Sequence, residues 1–264
     1  MTHDPDEGIG PDGIITTGVR ADRIPERYRD LVSRAVADLA SVEGIFSLYL
    51  YGSVATGKAT APTSDLDLLV VMKDHKPEPE VRERATHLSQ RHRDLVREIG
   101  ITPVPMPDIL AKTVDGLGLR CFIKHYCVHL YGSPIHQRME PCLATSEVAW
   151  AFNHDIADAV ASAKTKLSEA TTPDQVADVC RALTRKVTLA ATSLVSMAKN
   201  IWTTDRAIAT RSIAELYPEW APAAETALRW CVSPSSNPDE VSDFINGYGS
   251  WVAYELKRLH SAAS

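Results

Sequence analysis

The spacing of hydrophobic residues changes once along this chain. In the first part, apolar residues at three- and four-residue intervals from Pro25 to Ala40 predict a helix, and short apolar runs within 45–50 and 66–71 predict strands. From Thr145 onward, the apolar residues keep the helical interval almost throughout. The pattern therefore predicts an α+β protein, in which a small mixed sheet flanked by helices precedes an all-α helical bundle.

The second part contains clear helix start signals, because Thr172-Pro173 and Asn237-Pro238 each place a capping residue before a proline. The predicted helices span 146–169, 172–200, 206–216, 222–232 and 237–260. Their short connections favour a bundle. The predicted organisation is a flexible N-terminal arm at 1–20, a first domain at 21–140 and a C-terminal helical bundle domain at 141–264.

The two predicted strands are joined by a Gly52-Ser53 turn and a polar loop over 54–64. Asp65 and Asp67 open the second strand, and side chains two residues apart on a strand point to the same face. Two carboxylates on one face are costly unless a cation lies between them. Mg²⁺ bound to nucleotide phosphates suits such a pair, and a glycine turn lets backbone N–H groups approach a phosphate. The pattern therefore indicates a metal and nucleotide site.

A helix over 80–98 is expected next, and the segment 101–104 follows it. Pro103 and Pro105 have no backbone N–H to donate to a neighbouring strand. A strand in this segment would therefore lie at an edge of the sheet or be distorted.

Composition narrows the functional classes. The net charge of −6 is divided evenly, with −3 in residues 1–144 and −3 in 145–264, so neither half offers a strongly basic surface for nucleic acid. The five cysteines are odd in number and lack C-x-x-C spacing, so they are interpreted as buried thiols, not as a disulfide framework or a zinc site. His125 and His129 are four residues apart without an acidic partner, and packing or solvent contact is the favoured interpretation. No apolar run reaches membrane-spanning length and the N-terminus does not resemble a signal peptide, so a cytoplasmic protein is expected.

Gly-Ser, an eleven-residue spacer and Asp-x-Asp within an apolar strand resemble the nucleotidyltransferases of the DNA polymerase beta superfamily. The second half is similar to the C-terminal helical domain of streptomycin/spectinomycin-type aminoglycoside adenylyltransferases, through a long helix, a basic residue opening the next helix, and Leu216, Pro218, Trp220 and Pro222. The resemblance implies an enzyme of antibiotic resistance. Such an enzyme transfers a nucleoside monophosphate, AMP from ATP, to a hydroxyl of a small acceptor that is aminoglycoside-like, with Mg²⁺.

The resemblance also implies roles for individual residues. Asp65 and Asp67 are expected to bind the metal and to be catalytic. The predicted nucleotide-binding residues are Gly52, Ser53, Lys58 and Arg206. The resemblance implies a third strand, best placed at 101–104, that bears a third carboxylate. Gly100 stands where that acid is expected, and the nearest substitutes are Glu98 and Asp108.

Two other functions stay open. One is a toxin-like nucleotidyltransferase that modifies tRNA or protein, with tRNA disfavoured by the even charge distribution. The other is a catalytically impaired nucleotide-binding regulatory protein, which the missing acid at Gly100 favours. The expected partners are a nucleoside triphosphate and a small hydroxylated acceptor, without a membrane, and the sequence does not indicate the oligomeric state or the preferred nucleotide.

Overall fold

The computed structural model describes residues 6–74 and 78–263, which divide into two compact units. The sheet unit is Thr16–Cys142, and the helical unit combines Met1–Ile15 with Leu143–Ser264. Residues 1–5 of the predicted arm lie outside the described residues. The rest of that segment differs from a loose arm, because strands β1 (Gly8–Ile9) and β2 (Ile15–Thr16) pair with each other. A backbone bridge from Ile14 to Leu143 and hydrogen bonds from Thr203 and Thr204 to the Glu7 carboxylate hold the segment in the helical unit.

The sheet unit alternates helices and strands, as the hydrophobic pattern predicts for 25–71. Its elements are α1 (Glu26–Ala40), β3 (Ile45–Tyr51), α2 (Gly52–Ala55), β4 (Leu66–Met72), α3 (Glu78–Arg91), β5 (Ile99–Pro105), α4 (Met106–Leu110), α5 (Val114–Tyr126) and β6 (Val128–Gly132).

The four longer strands form one mixed sheet in the order β5-β4-β3-β6. β3 pairs antiparallel with β4 and β6, and β4 pairs parallel with β5. Helices α1 and α3 pack on one face, against a core that includes Leu48, Leu66 and Leu68. Helices α4 and α5 contribute to the core on the other face, with Tyr49 and Leu69. The prediction of a small mixed sheet flanked by helices is therefore confirmed.

In the sheet unit, one helix boundary and one strand differ from the sequence prediction, and in the helical unit the helix predicted over 146–169 is divided into Ser146–Asn153 and Ile156–Glu169. The helix predicted over 80–98 ends at Arg91, because the chain turns at His92, whose carbonyl accepts the Val96 N–H at 3.0 Å. The Ser89 hydroxyl accepts the Ile99 N–H at 2.8 Å and ties the helix end to the start of β5. The second difference is β6, a strand that the sequence analysis does not predict and that pairs antiparallel with β3.

The helical unit is an all-α bundle after the short strands, as predicted. Its central helix, α8 (Pro173–Lys199), directly contacts six other helices of this unit. Within the described residues, no helix combines the length and the hydrophobicity that a membrane span requires. The helices are α6 (Ser146–Asn153), α7 (Ile156–Glu169), α8 (Pro173–Lys199), α9 (Arg206–Leu216), α10 (Ala221–Trp230), α11 (Pro238–Phe244) and α12 (Ser250–Ala263), with a π-helical segment at Ile245–Gly249.

The N-terminus of α8 carries a reciprocal capping box. The Thr172 hydroxyl accepts the Gln175 N–H at 3.3 Å, and the Gln175 side-chain carbonyl accepts the Thr172 N–H at 3.2 Å. We expect Thr172→Ala to lower the free energy of unfolding by about 1 kcal/mol, since alanine cannot accept this bond. Urea denaturation measures the change. Thr165→Ala, at an exposed position within α7, is the matched control, and a loss of equal size there would contradict a capping role.

Candidate active site

Asp65 and Asp67 lie where β4 begins, in the middle of the sheet. Asp67 is the register partner of Tyr51 on β3 and of Gly100 on β5. Because side chains alternate along a strand, Asp67 shares its face with Leu69, which belongs to the core under α5. The strand thus anchors the Asp-x-Asp pair through its apolar neighbours.

Gly52 brings the glycine turn into contact with the second aspartate. Its backbone is left-handed, with φ +74°, and an added Cβ would lie 2.3 Å from Oδ2 of Asp67. A glycine is therefore required here both by the turn and by the adjacent carboxylate. The two halves of the Gly-Ser/Asp-x-Asp motif meet in space, although eleven residues separate them in sequence.

Asp67 is a carboxylate in an unfavourable electrostatic setting. Burial, followed by the neighbouring charges of Asp65 and Glu98, raises its pKa from 3.8 to about 6, although Arg97 opposes this rise. In the part of the chain that the structure describes, no hydrogen bond or ion pair to Asp67 is found. A cation between the two carboxylates would offset the energetic cost of burying the Asp67 charge.

Arg97 neutralises the other aspartate. Its Nε donates to Oδ1 of Asp65 at 3.0 Å, and a terminal guanidinium nitrogen donates to Oδ2. The same guanidinium lies 4.0 Å from Oε1 of Glu98. Sequence analysis missed Arg97, since an arginine in a charged segment is usually solvated and nothing in its spacing relates it to Asp65.

The third strand carries no acid at the position facing Asp67. Gly100 is opposite Asp67, and a Cβ there would lie 3.2 Å from Asp67 Oδ1, so a longer side chain at this position would point at the carboxylate. Glu98, two residues earlier, is exposed, and its charge is among the causes of the raised pKa of Asp67. Of the two substitute acids, Glu98 is therefore the one near the pair.

Asp108 lies at the other end of the strand. It is exposed in the first turn of α4, which follows Pro105, and Pro105 is the register partner of Met72 at the far end of β4. Pro105 is five residue steps beyond Gly100, roughly 16 Å along β5. The register therefore places Asp108 beyond the opposite end of β5 from the aspartate pair, where it is not positioned to complete the site.

A hydroxyl pair on the face of Asp67 was also missed. The hydroxyl groups of Tyr51 and Thr102 are 2.8 Å apart. Burial raises the pKa of Tyr51, and the charges of Asp67 and Asp65 add to the rise. The pairing of β3 with β4 places Tyr51 opposite Asp67, and a hairpin of these two predicted strands could have indicated it. The hydrogen bond between Tyr51 and Thr102 depends in addition on the register of β5.

The two predicted cationic residues lie in different units. Lys58 is exposed in the loop after α2, and its backbone N–H donates to the Ser53 carbonyl at 2.9 Å. Arg206 begins α9 in the helical unit, and its Nε is buried without a hydrogen bond. Burial lowers the pKa of Arg206, and the neighbouring charge of Arg185 contributes to the lowering.

This donor set fits a hard divalent cation. Asp65 and Asp67 offer carboxylate oxygens on one face, the ligand type that Mg²⁺ prefers when phosphate oxygens complete its shell. Asp67 has no competing partner among the described residues, and Asp65 has one in Arg97. Such a site can neutralise phosphate charge, which is the main requirement for phosphoryl and nucleotidyl transfer.

Comparisons with known proteins agree with this chemistry. A family model described as a nucleotidyltransferase domain matches residues 30–109, which include the turn, both aspartates and Glu98. No curated protein matches the sequence. The fold is similar to the crystal structure of the spectinomycin adenyltransferase AAD(9) from Enterococcus faecialis with ATP and spectinomycin. Sequence identity is 14%, the TM-score is 0.56, and the similarity covers 86% of this chain and 99% of that chain.

The family match lies within the sheet unit, and the structural likeness extends over most of both units. The expected resemblance and the expected fold are therefore confirmed. The sheet unit contains a nucleotidyltransferase domain of the DNA polymerase beta superfamily, and the chain is an enzyme of the nucleotidyltransferase type.

Proposed function

We propose that this enzyme transfers AMP from ATP, with Mg²⁺, to a hydroxyl group of a small aminoglycoside-like acceptor. The observation that carries the proposal is the contact between the Gly52 turn and the Asp67 carboxylate beside Asp65. The choice of ATP and of the acceptor class is supported by the likeness in fold to a protein whose structure contains ATP and spectinomycin.

Each residue of the pair has a defined task in this proposal. Asp65 and Asp67 hold Mg²⁺, which when bound supplies positive charge to the triphosphate. Asp67 can bind the cation without breaking a contact. Asp65 can bind it only if its oxygens serve both the cation and Arg97, or if the ion pair with Arg97 breaks. The backbone of Gly52 and Ser53 lies next to these carboxylates and offers N–H groups to the phosphates.

Lys58 is the cation of the sheet unit that we assign to the nucleotide phosphates. It is exposed in the loop after α2, and its backbone N–H donates to the Ser53 carbonyl. The resemblance also implies a nucleotide-binding role for Arg206 of the helical unit, and its buried guanidinium Nε without a hydrogen bond supports an anionic partner.

Glu98 is the carboxylate that we assign as the general base for the acceptor hydroxyl. Gly100 has no side chain for this role, and Asp108 lies beyond the other end of β5. We expect Glu98→Gln to lower kcat by about a hundredfold, because general base catalysis contributes on this scale. Steady-state rates at saturating ATP measure the loss. Asp108→Asn is the matched control with an expected rate near that of the unsubstituted enzyme, and the opposite ranking would contradict the assignment.

The proposed activity is tested by incubating the protein with Mg²⁺ and ATP labelled in the α-phosphate. Panels of aminoglycosides, tRNA and proteins are offered as acceptors, and pyrophosphate release is measured together with label transfer. We expect label on an aminoglycoside-type acceptor, in amounts that depend on Mg²⁺.

Two results would overturn this substrate assignment. Label on tRNA or on protein would identify the toxin-like function instead. Tight ATP binding without transfer to any acceptor would indicate a nucleotide-binding regulatory role, as the glycine at position 100 would favour. Magnesium dependence in any of these reactions would still support the metal role of Asp65 and Asp67.

A further inference from the structure

A cluster of soft metal-binding side chains lies in the sheet unit, among residues that the nucleotidyltransferase chemistry does not use. Cys121, His125 and Cys142 each offer a ligand atom, and these three atoms lie within 4.8 Å of one another. Cys121 is buried, and the other two are partly buried. Cys121 and Cys142 are separated by 20 residues in sequence, which is why the cysteine spacing did not reveal the cluster.

The fold brings the three residues together from two directions. Cys121 and His125 are four residues apart on α5, so they lie on the same side of the helix. Cys142 is the last residue of the sheet unit, and its backbone N–H donates to Nε2 of His125 at 2.8 Å. This hydrogen bond fixes both the imidazole orientation and the position of residue 142 next to the helix.

The chemistry of the cluster differs from that of the aspartate pair. Thiolates and imidazole are the ligands that Zn²⁺ selects, whereas Mg²⁺ selects oxygen ligands. Two sulfur atoms and one nitrogen leave one position of a tetrahedral shell open to water or another ligand. We propose that Cys121, His125 and Cys142 form a binding site for a thiophilic divalent cation of the zinc class, separate from the nucleotidyl-transfer site.

Binding changes the protons and hydrogen bonds of the cluster in a defined way. The sulfur atoms bind as thiolates, so any proton on either thiol passes to the buffer, and the affinity rises with pH. The Nε2 lone pair accepts the Cys142 N–H in this structure, so binding through Nε2 replaces that hydrogen bond. The bound cation then links α5 directly to the end of the sheet unit.

Cobalt titration of the full, reduced chain tests the proposal. Co²⁺ is added to metal-free protein while visible absorption and the near-ultraviolet thiolate-to-cobalt charge-transfer band are recorded. We expect one equivalent of Co²⁺ to bind with a charge-transfer band, Zn²⁺ to displace it, and a large excess of Mg²⁺ to leave it in place. Cys142→Ser and Cys121→Ser should each weaken binding by at least about tenfold and reduce the band.

Cys127→Ser is the matched control, because Cys127 lies in the same unit outside the cluster. It should retain the affinity and spectrum of the unsubstituted protein. Absence of a charge-transfer band in the reduced unsubstituted protein would overturn the proposal, and so would an undiminished band and affinity in Cys142→Ser. These results are independent of nucleotidyl transfer, since that reaction depends on Asp65 and Asp67 with Mg²⁺.

Discussion

Asp67→Asn is expected to reduce nucleotidyl transfer by about a thousandfold, because it removes a charged ligand from the position where phosphate charge is neutralised. The amide keeps nearly the same shape between Tyr51 and Gly100, so the register of β4 is preserved. The loss should therefore appear in kcat and in the affinity for Mg²⁺, with no loss of folded protein.

The same substitution is expected to increase stability at neutral pH. Burial and the nearby carboxylates raise the pKa of Asp67 from 3.8 to about 6 in the folded chain. The folded state therefore binds this proton more tightly than the unfolded state, and the stability of the unsubstituted protein falls as the pH rises through this range. Since one pKa unit corresponds to about 1.4 kcal/mol, Asp67→Asn should gain up to about 3 kcal/mol above pH 6, and the gain should vanish below about pH 4.

Urea denaturation at pH 4 and pH 8 without divalent cations measures this difference, and labelled-ATP assays measure the loss of transfer. Addition of Mg²⁺ should narrow the stability difference, because the cation stabilises only the protein that retains the carboxylate. Asp108→Asn, an equivalent change at an exposed site, should show neither effect. Undiminished turnover in Asp67→Asn would refute the metal role of this residue.

The centre of the site could be predicted because its determinants are local. Alternation along one strand places Asp65 and Asp67 on one face, and a single glycine turn precedes them, so short-range rules are sufficient. The prediction that Gly100 stands where an acid is expected also depends on one strand, and the parallel register does put Gly100 opposite Asp67.

The surroundings of the site could not be predicted because they depend on contacts between distant segments. Arg97 pairs with Asp65 in a chain whose helix α3 ends at Arg91, before Arg97. A hydrogen bond from the Ile99 N–H to the Ser89 hydroxyl joins the end of α3 to the start of β5. Glu98 and Asp108 are both near Gly100 in sequence, and only the direction of β5 distinguishes them, because it carries Asp108 away from the pair. The cysteine cluster could not be predicted for a similar reason, because tertiary packing brings Cys142 next to α5.

Gly52→Ala is expected to lower nucleotidyl transfer by about a hundredfold, as displacement of a catalytic group by about 1 Å costs on this scale. A Cβ at this position would lie 2.3 Å from Asp67 Oδ2, and the glycine is fixed at φ +74° by the turn, so the carboxylate has to move. The left-handed backbone also costs an alanine about 1–2 kcal/mol of stability. Mg²⁺ affinity and kcat should both fall.

Gly13→Ala separates the two causes of this effect. Gly13 has φ +80°, and its added Cβ would meet only Leu143 Cδ2, at an ordinary 3.7 Å, within the helical unit. We therefore expect Gly13→Ala to share the stability loss seen by urea denaturation while its transfer rate stays near that of the unsubstituted enzyme. Because backbone strain is common to both variants, a rate loss confined to Gly52→Ala would isolate the contact with Asp67. Equal rates in the two variants would show that this contact does not position the carboxylate for catalysis.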